Sequence, residues 1–229
     1  MSTPEGGTAS RLEGDEPQPV PVPILDEAGR QLRAPWAASI AGILFSVLFT
    51  TALVLVRSQA DSGGDNTAVV IGGLYLAPFA GIMFLWFVAV IRDQIGERED
   101  RFFATVFFGS GLLFVGLLFT TAAVVSTPAA LVEFLGGAQP STESQAILRA
   151  LGYTLLFALS TRAAAVFMVA TATIGVRSGV FPRWFALVGY LLGLVLLIAV
   201  SFVDWFILVL PVWVAVVSVF ILRRERARR

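Results

Sequence analysis

The stretch FPRWFALVGYLLGLVLLIAVSFVDWFILVLPVWVAVVSVFIL, residues 181–222, decides the fold. After Arg183 its only charged residue is Asp204. A hydrocarbon core about 30 Å thick is crossed by about 20 apolar residues of helix. This run is 42 residues long, so it must cross, turn and cross back. A carboxylate is costly in lipid. That puts the turn at Val203–Asp204, with helices at about 184–202 and 205–222. Pro211 is a second place where the chain could break. The apolar run is continuous rather than alternating, so spanning β-strands do not compete.

Four more segments of that kind lie upstream, at about 35–56, 67–91, 102–125 and 147–176. The expected fold is all-α, a six-helix transmembrane bundle occupying residues 34–222. Composition agrees. The chain of 229 residues is 57% hydrophobic and 14% charged, with a mean hydropathy of +0.83. A soluble domain is nearer 45–50% apolar and about 25% charged. The first segment follows some 35 residues of polar chain, and its apolar run is about 20 residues. That is too long for a signal peptide, so it reads as a retained helix despite Ser58-Gln59-Ala60.

Two flanks differ from the bundle. Residues 1–33 are rich in Ser, Thr, Glu, Gly and Pro, with Pro17, Pro19, Pro21 and Pro23 alternating. Such a segment cannot bury enough apolar surface to offset its chain entropy, so a disordered or polyproline tail is expected. Residues 223–229 hold five arginines and form a basic tail. Arginine counting orients the chain. With the N-terminus in the cytoplasm, 13 arginines face inward and 2, Arg57 and Arg149, face outward. Both termini are then cytoplasmic, as in a multi-pass protein of a bacterial inner membrane. Arg162 alone falls within a span.

Three zeros narrow the chemistry. The chain has no Cys and no His, and all 16 basic residues are Arg. Thiol nucleophiles, disulfides and thiolate metal sites are excluded. Imidazole ligands and the usual general base near neutral pH go with histidine. A Schiff-base lysine is impossible. No catalytic residue, metal site or cofactor is expected, and zero formal charge gives no support to a nucleic-acid partner.

Local signals refine the loops. Thr127 and Pro128 suggest a fresh helix start, and Gly136-Gly137 a stop, so a short interfacial helix or a shallow re-entrant segment is expected at residues 129–135. Thr142 with Gln145 three residues on looks like a capping box opening the fourth helix. The charged turn from Arg92 to Arg101 reads as a solvated connection. Gly189-x-x-x-Gly193 has helix-packing spacing, which leaves a homo-oligomer open.

The turn Gly96-Glu97-Arg98-Glu99-Asp100-Arg101-Phe102-Phe103-Ala104-Thr105, with Gly109-Ser110-Gly111 after it, resembles a group of uncharacterised bacterial six-helix membrane proteins. Pro182-Arg183-Trp184 and the stretch from Ala163 to Ile174 are similar to the same group. The resemblance implies a six-helix fold and carries no activity or site residues.

Candidate binding residues follow from depth. Arg162 lies nine residues after Tyr153, about 13 Å along a helix. A central Arg costs about 2.5–3.5 kcal/mol on insertion scales, and no span contains an acid to pair with it. Two readings compete: a contact to a small anion or lipid headgroup in an outward-facing polar pocket, and a side chain snorkelling to the interface. Tyr75 and Pro78 reach similar depth. So do Thr50 and Thr51, and Thr120 and Thr121, which sit in a repeated Leu-Phe-Thr-Thr-Ala at residues 48–52 and 118–122. Threonines in lipid also bond their own helix carbonyls. The leading expectation is a non-enzymatic small-molecule or lipid-binding carrier. The alternative is a scaffold or accessory subunit recruiting partners through its cytoplasmic tail and turn.

Overall fold

A computed structural model describes residues 35–62, 67–95, 101–198 and 204–226. The proline-rich tail, most of the charged turn and the expected break at Val203 lie outside the described residues. Helix α1 is Pro35–Ser62, α2 is Thr67–Ile95 and α3 is Arg101–Glu133. Helix α4, Thr142–Tyr153, passes through a π-helical turn, Thr154–Ser160, into α5, Thr161–Arg177. Helix α6 is Arg183–Ile198, and a 3-10 turn at Asp204–Leu208 leads into α7, Val209–Arg226. Among the described residues every regular element is helical.

With α4, the π turn and α5 taken as one rod, the described residues form six helices. Five have the length and apolar composition to cross a membrane. The other, α6, is apolar but 16 residues long, about 24 Å, which falls short of a hydrocarbon core about 30 Å thick. Residues 199–203 beyond it are not described.

Two local expectations are corrected. No separate helix forms at residues 129–135; α3 runs on through Thr127 and Pro128 to Glu133. Proline removes one backbone donor, and the helix carries that single loss. Ser126 and Thr127 meanwhile donate their hydroxyls to the Ala123 carbonyl, at 3.1 and 2.9 Å. The stop is where glycine was expected: Gly136 has φ +61°, a left-handed conformation that costs glycine little. The fourth rod opens one residue earlier than the Thr142 box. Ser141 is the cap, and its Oγ accepts the Ser144 N–H at 3.2 Å. Gln145 donates to the Pro140 carbonyl at 3.0 Å. The last helix begins with a tighter 3-10 turn, and Pro211 does not break it. It falls just after the 3-10 turn, and the helix runs on past it to Arg226 at the loss of one backbone donor.

Packing order follows chain order. Helix α1 lies against α2 and α7, α2 against α3, α3 against α5, and α5 against α6. Inside sits a cluster of phenylalanine rings. Phe84 lies 4.7 Å from Phe45, 5.1 Å from Phe114 and 4.9 Å from Phe167, centroid to centroid. Phe107 stacks on Phe167 at 4.9 Å. In lipid no hydrophobic force pulls helices together, so such van der Waals contact holds the bundle. Hydroxyls add cross-links. Ser46 Oγ shares its proton between the Gly42 carbonyl at 2.8 Å and the Pro211 carbonyl at 2.7 Å, joining α1 to α7.

Ring contacts fix the two ends. Arg92 lies over Phe108, Arg177 over Phe103, and Phe181 beside Phe220. One end therefore gathers Arg92, Arg177, Arg183 and Arg223. At the other, Arg57 sits between Phe157 and Trp205.

Candidate functional site

The rod from Thr142 to Arg177 carries Arg162, and its backbone changes pitch just before it. At the π-to-α junction the Thr161 N–H reaches back five residues to the Leu156 carbonyl, and Thr161 Oγ1 donates to the same oxygen at 3.1 Å. Such π turns recur at functional sites. Three successive residues there have three fates. Ser160 is fully buried, and its hydroxyl has no hydrogen-bond partner. Thr161 is buried and satisfied by its own helix. Arg162 is exposed on the outer wall.

Its guanidinium Nη1 donates to the Ala158 carbonyl, one turn back toward the end that holds Arg57. Four residues of helix move the charge about 6 Å toward that end, the direction a snorkelling side chain takes. A guanidinium has five N–H donors. Among the described residues only this one bond is made by Arg162.

The turn above is tied down by aromatic contacts. Phe157 is buried and packs on Tyr153 with centroids 4.6 Å apart. The Arg57 guanidinium lies 5.7 Å from the Phe157 ring and 5.3 Å from the Trp205 ring. Cation–π contacts of this kind contribute about 0.5–2 kcal/mol each. Sequence reading placed Arg57 in an outer loop. It belongs instead to α1, half-buried, linking that helix to the π turn and to the start of the last span. No spacing in the sequence announces this, because its two ring partners, Phe157 and Trp205, come from distant segments.

The remaining candidates do not gather. Tyr75 is 59% exposed, and Pro78, Thr51 and Thr120 are exposed too. Thr50 is half-buried and Thr121 buried. Thr120 and Thr121 donate to the Gly116 and Leu117 carbonyls of their own helix, both at 2.8 Å. No hydrogen bond joins any two of the seven. The repeated Leu-Phe-Thr-Thr-Ala is not structurally equivalent either. Phe49 and Ala52 are buried in one copy, Leu118 and Thr121 in the other, so the two faces are rotated.

Gly189 and Gly193 face inward. A Cβ at Gly193 would come 2.8 Å from Val169 Cγ2 and 3.1 Å from the Ala165 carbonyl oxygen. A Cβ at Gly189 would come 2.8 Å from Trp213 Cζ2 of α7 and 3.0 Å from Ala172 Cβ of α5, so both glycines are used for packing within one chain. Among the described residues no cluster of three carboxylates could hold a metal ion.

No known family model matches this chain, and neither does any curated protein or solved structure. The geometry alone assigns its class. The chain is a multi-pass, all-helical membrane-spanning protein. The resemblance to uncharacterised bacterial six-helix proteins gains nothing from these comparisons beyond that class.

Proposed function

We propose that this protein is a non-enzymatic lipid-binding protein of a bacterial inner membrane, with both termini in the cytoplasm, and that Arg162 takes an anionic lipid headgroup. One observation carries the reading. A guanidinium exposed on an apolar outer wall uses one of its donors on a carbonyl and turns toward an interface. Donors left over in lipid require acceptors, and a phosphate supplies several in a geometry arginine matches. The phenylalanine-filled interior favours a contact from the surrounding bilayer over a solute held between the helices. The 13-to-2 division of arginines supports the cytoplasmic placement of both ends.

The test is lipid retention by the purified full chain. Arg162→Leu is expected to insert normally and to lose retained phosphatidylglycerol at the Arg57 end while keeping phosphatidylcholine. A variant that becomes more stable and still retains the anionic lipid would sink the proposal. If removing residues 1–33 abolishes the cellular phenotype and Arg162→Leu does not, the scaffold role is the correct one.

A further inference from the structure

A second lateral surface lies elsewhere, away from Arg162. Helices α6 and α7 are held apart by side chains, and a cleft of about 370 Å³ remains between them. Phe185, Val188 and Leu192 line one wall. On the other, Trp205, Val209, Val212, Trp213 and Val216 follow one another at helical spacing. A second cleft of about 270 Å³ begins at the same Val216 and continues past Val219 and Phe220 to Arg223. The two make one track along α7, apolar over its whole length and closed by a cation. Val212 is 61% and Val219 37% exposed, so the track opens sideways to the bilayer.

Its dimensions choose the occupant. The cleft from Trp205 to Val216, about 370 Å³ over about 16 Å, has a cross-section of about 23 Å², and the one from Val216 to Arg223, about 270 Å³ over about 10 Å, about 27 Å², against about 80 Å² for a helix about 10 Å wide. One hydrocarbon chain fits and a transmembrane helix does not. From Val212 to Arg223 is eleven residues, about 16 Å, or roughly one leaflet of a hydrocarbon core about 30 Å thick. Charge chooses the headgroup. Arg223 lines the end of the track. Arg183 opens α6 at that same end, where the Phe185 and Phe220 rings lie 4.7 Å apart.

We propose that the α6–α7 track binds one anionic phospholipid, its phosphate at Arg223 and one acyl chain along Val219, Val216 and Val212. The site lies at the end of the bundle opposite the Arg57 cluster, so it contacts the other leaflet from Arg162.

The full chain is purified in detergent and titrated with dioleoyl phosphatidylglycerol or dioleoyl phosphatidylcholine, and bound lipid is counted by native mass spectrometry. The wild type should bind the anionic lipid several-fold more tightly. Arg223→Gln should weaken that lipid about fivefold and leave the zwitterionic one unchanged. Val212→Phe should fill the track and weaken both; if it does not fold, judged by circular dichroism, Val219→Phe takes its place. Arg162→Leu should leave the Arg223-dependent preference in place, so failure of one site is distinguishable from failure of the other. Equal binding of both lipids, or unchanged binding in either track variant, overturns the proposal. So does a Val212→Phe protein that loses a dimer rather than a lipid.

Discussion

Helix α6 is packed in two opposite ways. Toward α5 it presents Gly193, and the backbones come close enough that a Cβ there would press on a carbonyl oxygen 3.1 Å away; Gly189, one turn earlier, lies between Ala172 of α5 and the Trp213 ring of α7. Toward α7 it presents Phe185, which stacks on Trp213 with centroids 4.6 Å apart and planes 6° apart. The first contact is closed, and it is reinforced by a bond of 2.9 Å between Thr173 Oγ1 and Tyr190 Oη. The second leaves the lateral cleft. The same helix shows that side-chain size, more than apolarity, sets the gap between neighbours in lipid. Glycine lets helices touch, and stacked aromatics prop them apart.

That contrast can be broken by substitution. The largest effect is expected for Trp213→Ala, which removes the prop. Truncating a buried aromatic costs about 3–5 kcal/mol, and unfolding in mixed micelles should show a loss of that order; a loss under about 1 kcal/mol would mean that α6 and α7 stand apart without it. Next comes Gly193→Val on the closed face. Overpacking there should cost about 1–3 kcal/mol. Gly109→Val is the matched control, since a Cβ at Gly109 meets nothing within 4 Å. Equal losses in the two would show that close approach is not what the α5–α6 seam depends on. The smallest effect belongs to Tyr190→Phe. Interhelical hydrogen bonds in bilayers average about 0.6 kcal/mol, so the seam should weaken by about that much and no more.

The sequence was legible where a single segment decides the outcome. The run at residues 181–222 demanded two helices, and α6 and α7 are there. Gly136 ends α3 with a positive φ. Legibility failed where two partners decide together. Thr127-Pro128 looked like a helix start, yet the helix continued, because losing one backbone donor costs less than a new terminus with four unsatisfied carbonyls. The seven candidate binding residues were chosen by depth, which is a property of one helix. Depth says nothing of azimuth, so Thr121 turned inward while Tyr75, Pro78, Thr51, Thr120 and Arg162 stayed on the outer wall. Arg57 shows the converse. An unremarkable loop-end arginine became a clamp because Phe157 and Trp205 arrive beside it.

Residue order by itself determined the solvent and the helices. Hydropathy summed over a segment is enough for each, since the bilayer acts on every segment separately. Only the tertiary structure decided which face of each helix meets its neighbours. In water an amphipathic stripe marks that face. Here the core face holds Phe45 and Phe84 and the outer wall Val47 and Phe79. Both are apolar, so packing shape has to choose between them.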